Sequence, residues 1–128
     1  MLGFPRGDIV EVPIAFREHG ISLRTSTAAD MAFLRRLYGQ VRADELAVLP
    51  WLASQKEAFL DSQFALQHQH YLSHFPDACF LLVECNATPI GRFYLLKQAP
   101  EFLIIDISVA IAWQNQGIGT ALMRDAQT

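Results

Sequence analysis

Charge is scarce in this chain, and neither sign is clustered. Only 18% of its 128 residues are charged, the formal net charge is −3, and no run of Lys or Arg exceeds the pair Arg35-Arg36. A nucleic-acid footprint needs grouped cations, so the composition excludes a broad one. Long apolar runs are missing as well. Stretches such as Phe102-Leu103-Ile104-Ile105 fall far short of the roughly 20 residues that span a bilayer, so no membrane partner is expected. The segment Met1-Leu2-Gly3-Phe4-Pro5-Arg6 has no basic region followed by an apolar one, which reads against a secretory signal and for the cytoplasm. Cysteine is limited to Cys79 and Cys85. Six residues apart on one predicted strand, they are separated by roughly 20 Å. A disulfide needs Cα atoms within about 7 Å, so both are read as reduced thiols.

What is abundant is apolar surface, at 52% of residues, enough for one domain with a real core. Residues 1–20 read as an N-terminal arm. Within it Ile9, Val10, Val12 and Ile14 suggest a short extended piece that Pro13 confines to an edge. Residues 21–128 read as the domain. Ile21-Ser22-Leu23-Arg24 alternates apolar and polar and predicts a strand. Thr27-Ala28-Ala29-Asp30 is a helix-starting box, followed by Met31, Leu34, Leu37, Tyr38 and Val41 at helical spacing. A second helix is expected from Pro50 to His74, stopped by Pro76. Its apolar members Leu52, Phe59, Leu60, Phe64 and Tyr71 interleave with a polar strip of Lys56, Gln63, Gln67, His70 and His74.

Three strands should follow. Cys79 to Cys85 and Ile90 to Lys97 read as a hairpin joined by the four residues Asn86-Ala87-Thr88-Pro89. Asn86-Ala87-Thr88 also has the glycosylation pattern, and is read as a turn. After a break at Gln98-Ala99-Pro100-Glu101, Phe102 to Ala112 predicts a long strand buried on both faces. A helix begins near Ile118, Ala121 and Leu122. The order strand-helix-helix-strand-strand-strand-helix is that of a layered α/β (α+β) domain.

The chemistry-bearing stretch runs from Ile107 to Ala121: a strand, a polar turn with Gly117 and Gly119, and a helix start. Such a turn leaves backbone N–H groups without helical partners, and the helix dipole adds to their field, so it is suited to an anion. Glycine lets a phosphate approach the backbone. A P-loop is excluded because Ile118 follows Gly117, and a dinucleotide fingerprint because Leu122 stands where a third glycine belongs. What remains is Gln-x-x-Gly-x-Gly between strand and helix, which as a bare pattern is either a tight turn or a phosphate cradle.

Gln114-Asn115-Gln116-Gly117-Ile118-Gly119, continued by Thr120-Ala121-Leu122-Met123, resembles the Arg/Gln-x-x-Gly-x-Gly/Ala signature of the GNAT superfamily of acetyl-CoA-dependent N-acetyltransferases. Trp113 fills an often aromatic position. Asn115 and Ile111 depart from the glycine and proline frequent there. Upstream, Leu23-Arg24 with Asp30, and Pro89-Ile90-Gly91, resemble the family's opening strand and first helix and the turn between its second and third strands, so the resemblance covers about Ile21 to Thr128. It implies a GNAT-like mixed sheet lacking the family's C-terminal strands and helix, including the fifth strand and the helix that carries the usual tyrosine acid.

The resemblance further implies transfer of an acetyl group from acetyl-CoA to the primary amine of a small molecule or peptide. Ile107 and Val109 would face the pantetheine arm, with the Val109 N–H as oxyanion donor. Gln114 would stand at the loop entrance, and Gln116, Gly117, Ile118, Gly119 and Thr120 would hold the diphosphate. Asp106 and Glu84 are the base candidates, and Gln63, Gln67 and His70 would border the acceptor groove. Ser108 reads as a small packing residue. His70 and His74 are spaced i, i+4, but the predicted helix from Leu66 to His74 offers them no acidic or cysteine partner, so no metal is expected. The alternative is a non-catalytic CoA-binding or strand-pairing module. In either case the exposed fourth strand or the N-terminal arm should make the chain a homo-oligomer.

Overall fold

The computed structural model of the chain describes residues 20–98 and 101–114. The expected N-terminal arm and the helix after the glycine turn lie outside these residues. Strand β1 (Ile21–Thr25) leads through a short turn at Ala28–Asp30 into helix α1 (Met31–Ala47) and helix α2 (Ala53–His74). Strands β2 (Cys79–Cys85), β3 (Thr88–Gln98) and β4 (Glu101–Val109) follow, and a second tight turn covers Ile111–Trp113. All strand pairs are antiparallel and the sheet order is β1-β2-β3-β4.

Local chemistry accounts for the element ends. The Thr27 N–H donates to Asp30 Oδ2 at 2.8 Å, as the helix-starting box requires. Helix α2 begins at Ala53, three residues later than Pro50. The Leu52 N–H donates to Gln55 Oε1 at 2.8 Å, so Gln55 supplies the cap that fixes the start. The helix closes with the Phe75 N–H on the Tyr71 carbonyl at 2.9 Å, directly before Pro76.

The β2–β3 connection is two residues, not four. Asn86 and Ala87 carry φ of 49° and 68°, and positive φ at both central positions is what a type I′ hairpin turn demands. Pro89 therefore lies inside β3, beside the register shift at Val83/Glu84.

Because side chains alternate across a strand, β2 contributes to two cores. Phe80 and Leu82 face the helices, where they meet Leu34, Tyr38, Leu60, Phe64, Tyr71 and Leu72. Cys79, Leu81 and Val83 pack on the other face with Ile21, Ile90, Phe93 and Leu95. Cys79 and Cys85 are not joined in a disulfide, as their spacing requires. Strand β4 departs from expectation. It stops at Val109 and is half-buried, with Leu103 42% exposed, because among the described residues it is the last strand of the sheet and has only β3 beside it. No helix among the described residues is long and apolar enough to cross a membrane.

Candidate functional site

The outer edge of β4 is set by its register. The Ala110 N–H donates to the Ile90 carbonyl at 2.7 Å, and Gly91 stands opposite Val109. In an antiparallel ladder the direction of the backbone groups alternates. Ser108 and Ala110 thus turn their N–H groups to β3, while Ile107 and Val109 turn theirs to the open side. The Val109 carbonyl, aimed the same way, accepts from Gln114 Nε2 at 2.9 Å. Gly91 makes the pairing this close: a Cβ there would lie 2.4 Å from the Ser108 carbonyl oxygen.

Beyond Val109 the chain tightens. The Trp113 N–H donates to Ala110 O at 2.8 Å, and the Gln114 N–H to Ile111 O at 3.3 Å. Trp113 packs on the second-face core, and the Ile111 N–H is held by Gln40 Oε1 of α1 at 2.9 Å. The strand exit is therefore tied to both the sheet and a helix. Gln116, Gly117, Ile118, Gly119 and Thr120 lie outside the described residues.

On the helix side of β4, Asp106 is the hub of a polar cluster. It accepts from Arg92 Nη2 at 2.5 Å, from the Tyr71 hydroxyl at 2.8 Å and from Ser108 Oγ at 2.9 Å. Arg92 also donates to Gln67 Oε1 at 3.0 Å. Its guanidinium carbon lies 5.1 Å from the Tyr94 ring centre and 5.9 Å from that of Tyr71. Arg92 Nε is buried and has no hydrogen-bond partner among the described residues. Burial pushes the Tyr94 hydroxyl up to about 12, against the opposing pull of Arg92. Burial, then the Asp106 charge, raises Tyr71 as well. Ser108 is thus a hydrogen-bond donor and not the plain packing residue expected.

Glu84 sits elsewhere. It pairs with Arg24 Nε at 3.2 Å, and Arg24 in turn grips Asp30 through two bonds of 2.8 and 2.7 Å. The Arg24 hydrogen bonds hold the Asp30 carboxyl below its ordinary value against the effect of burial. Strand β2 is two strand spacings from β4, about 10 Å. Asp106 stands on β4 itself, three residues from Val109.

The polar strip of α2 divides. Gln67 turns to Arg92, Gln63 is half-buried, and His70 is exposed and stacked on His74 with ring centres 4.0 Å apart. No cluster of three metal-ligating side chains exists among the described residues. Sequence reasoning missed Arg92 and the polar role of Tyr71. The signals were a cation inside the apolar run Ile90 to Leu96, and Tyr71 four residues after Gln67 on one helix face.

The architecture defines the class: a mixed α/β (α+β) domain of the GNAT type. Three solved structures share it. A PaiA N-acetyltransferase from Thermoplasma acidophilum, in complex with coenzyme A, superposes with a TM-score of 0.57 at 16% identity, over 83% of this chain and 69% of that one. A putative acetyltransferase from Pyrococcus horikoshii gives 0.52 at 21%, over 84% of this chain and 33% of that one. A GCN5-related N-acetyltransferase from Ralstonia eutropha JMP134 gives 0.50 at 18%, over 84% and 73%. No curated protein matches in sequence. The model of the acetyltransferase (GNAT) family matches residues 43–128, and the chain belongs to that family.

Proposed function

We propose that this protein transfers the acetyl group of acetyl-CoA to a primary amine at the open edge of β4. The observation that carries this reading is the outward Val109 N–H, on a strand whose outer side meets no other strand among the described residues. Family membership supports acetyl-CoA as the donor, and the structure of the Thermoplasma acidophilum protein contains coenzyme A.

When bound, acetyl-CoA supplies a thioester carbonyl. The chain's own task is to hold that carbonyl in place and to manage charge. A backbone N–H is well suited, because it is fixed by the ladder and needs no reorganisation as the oxygen becomes negative. Ile107 adds a second outward N–H along the same strand. Gln114 fastens the strand end, and the backbone of Gln116 to Thr120, outside the described residues, would hold the diphosphate. As the new C–N bond forms and the thioester C–S bond breaks, the amine's proton passes to a base or along a water path and CoA leaves as the thiol. Asp106 is the carboxylate nearest along the chain, and with Arg92, Tyr71 and Ser108 on its oxygens it first orients the amine. Gln67 and Gln63 line the same side, and Glu84 serves Arg24 and Asp30.

A second reading is favoured by the exposure of Leu103: the same edge pairs with another copy of the chain. Two measurements test the first. Acetyl-CoA at a hundred times its Kd should stabilise the fold by about 2.7 kcal/mol, raising Tm by roughly 10 °C. A panel of primary amines should release free CoA thiol. Stabilisation without release would leave a binding module, and the absence of both effects would overturn the reading.

A further inference from the structure

Helices α1 and α2 border an open cleft of about 490 Å³, a size that suits a small ligand. Arg36 and Gln40 of α1, Lys56 of α2, the buried Leu46 and Leu60, and Ile111 lie on its wall. Its charge is unbalanced. Glu57 also borders it, but that carboxylate is held by Arg35 Nη2 at 2.8 Å, and Arg35 Nε grips Asp61 at 2.6 Å. Arg36 and Lys56 make no ion pair among the described residues. Lys56 also stands in the first turn of α2, where helix amides add positive potential and no acidic side chain offsets it. Two cations from different helices, over an apolar floor, suit an anion joined to an apolar group.

The place of the cavity narrows the ligand. Ile111 follows Val109 by two residues, at most about 7 Å along the chain. Resting on the acetyl-transfer reading above, we infer that this cavity receives the acidic group of the acceptor, a carboxylate or phosphate separated from the reacting amine by an apolar spacer. Arg36 and Lys56 are then specificity-determining residues. Leu46 and Leu60 take the spacer.

The test compares acceptors that differ only in the acid: 6-aminohexanoate and 5-aminopentyl phosphate against n-hexylamine. The wild type should favour one acidic acceptor by at least tenfold in kcat/KM. That preference should fall about tenfold in Arg36→Gln/Lys56→Gln through KM, with both single variants intermediate and all melting like the wild type. Equal use of the three amines, or a preference that survives in the double variant, overturns the inference. Calorimetric titration of acetyl-CoA separates the other source of phosphate. If the double variant loses acetyl-CoA affinity instead, the cavity serves the donor and the acceptor assignment falls. If no amine is acetylated by any form, the acetyl-transfer reading has failed, and direct titration of 6-aminohexanoate decides for the cavity. Binding lost in the double variant supports the anion site, and no binding to the wild type removes it.

Discussion

At the residue scale the Arg92–Asp106 pair carries the largest stake. Both side chains are mostly removed from water, with 5% and 15% of their surfaces exposed. Burial of ions is expensive, and mutual attraction with good hydrogen bonds offsets it. Removing one partner leaves the other charge unbalanced, so Arg92→Ala should cost about 3–5 kcal/mol. Urea unfolding checks this, and a loss under about 1 kcal/mol would mean that Asp106 is solvated in the variant. Asp30 offers a pH handle. Its carboxyl is held low by Arg24, so its stabilising contribution is complete above the ordinary carboxylate range near pH 4. It disappears as pH falls through the lowered folded value. Asp30→Asn should therefore flatten the acid limb of the stability profile below about pH 4, measured by denaturant titration across that range.

At the element scale, strained turn chemistry is the clearest target. Ala87 holds φ at 68° in the β2–β3 turn, a conformation that costs an L-residue roughly 1–2 kcal/mol and glycine little. Ala87→Gly should raise stability by about 1 kcal/mol, read as a higher urea midpoint at unchanged slope. Element legibility in the sequence followed from periodicity. Strand β2, helix α1 and the stop of α2 before Pro76 were readable from alternation, helical spacing and proline sterics. The two-residue turn was hidden because alanine in the left-handed region leaves no compositional mark. The half-burial of β4 was hidden for a different reason. An apolar strand such as Phe102 to Val109 has the same pattern whether it has one neighbour or two. The polar cluster was partly legible: Asp106 and Gln67 stood out, but their junction through Arg92 and Tyr71 depends on contacts between α2, β3 and β4 that no local pattern encodes.

At the scale of the whole molecule, the two readings proposed for the β4 edge compete. The outward backbone groups of β4 suit either a pantetheine arm or a strand from a second copy, and both cannot occupy them together. Self-association and acetyl-CoA binding must then be linked, since a ligand that binds only the unpaired form draws the population toward it. Light scattering without ligand should show an average mass that rises with protein concentration above that of one chain, and acetyl-CoA should return it toward a single chain. Leu103→Lys places a charge on the exposed side of the edge strand, a substitution that discourages pairing. It leaves the ladder at Val109, six residues along, untouched. That variant should stay monomeric over the same concentrations and keep its stabilisation by acetyl-CoA. A mass above one chain that ignores both ligand and substitution would assign association to another surface, and a mass of one chain throughout would remove the pairing reading.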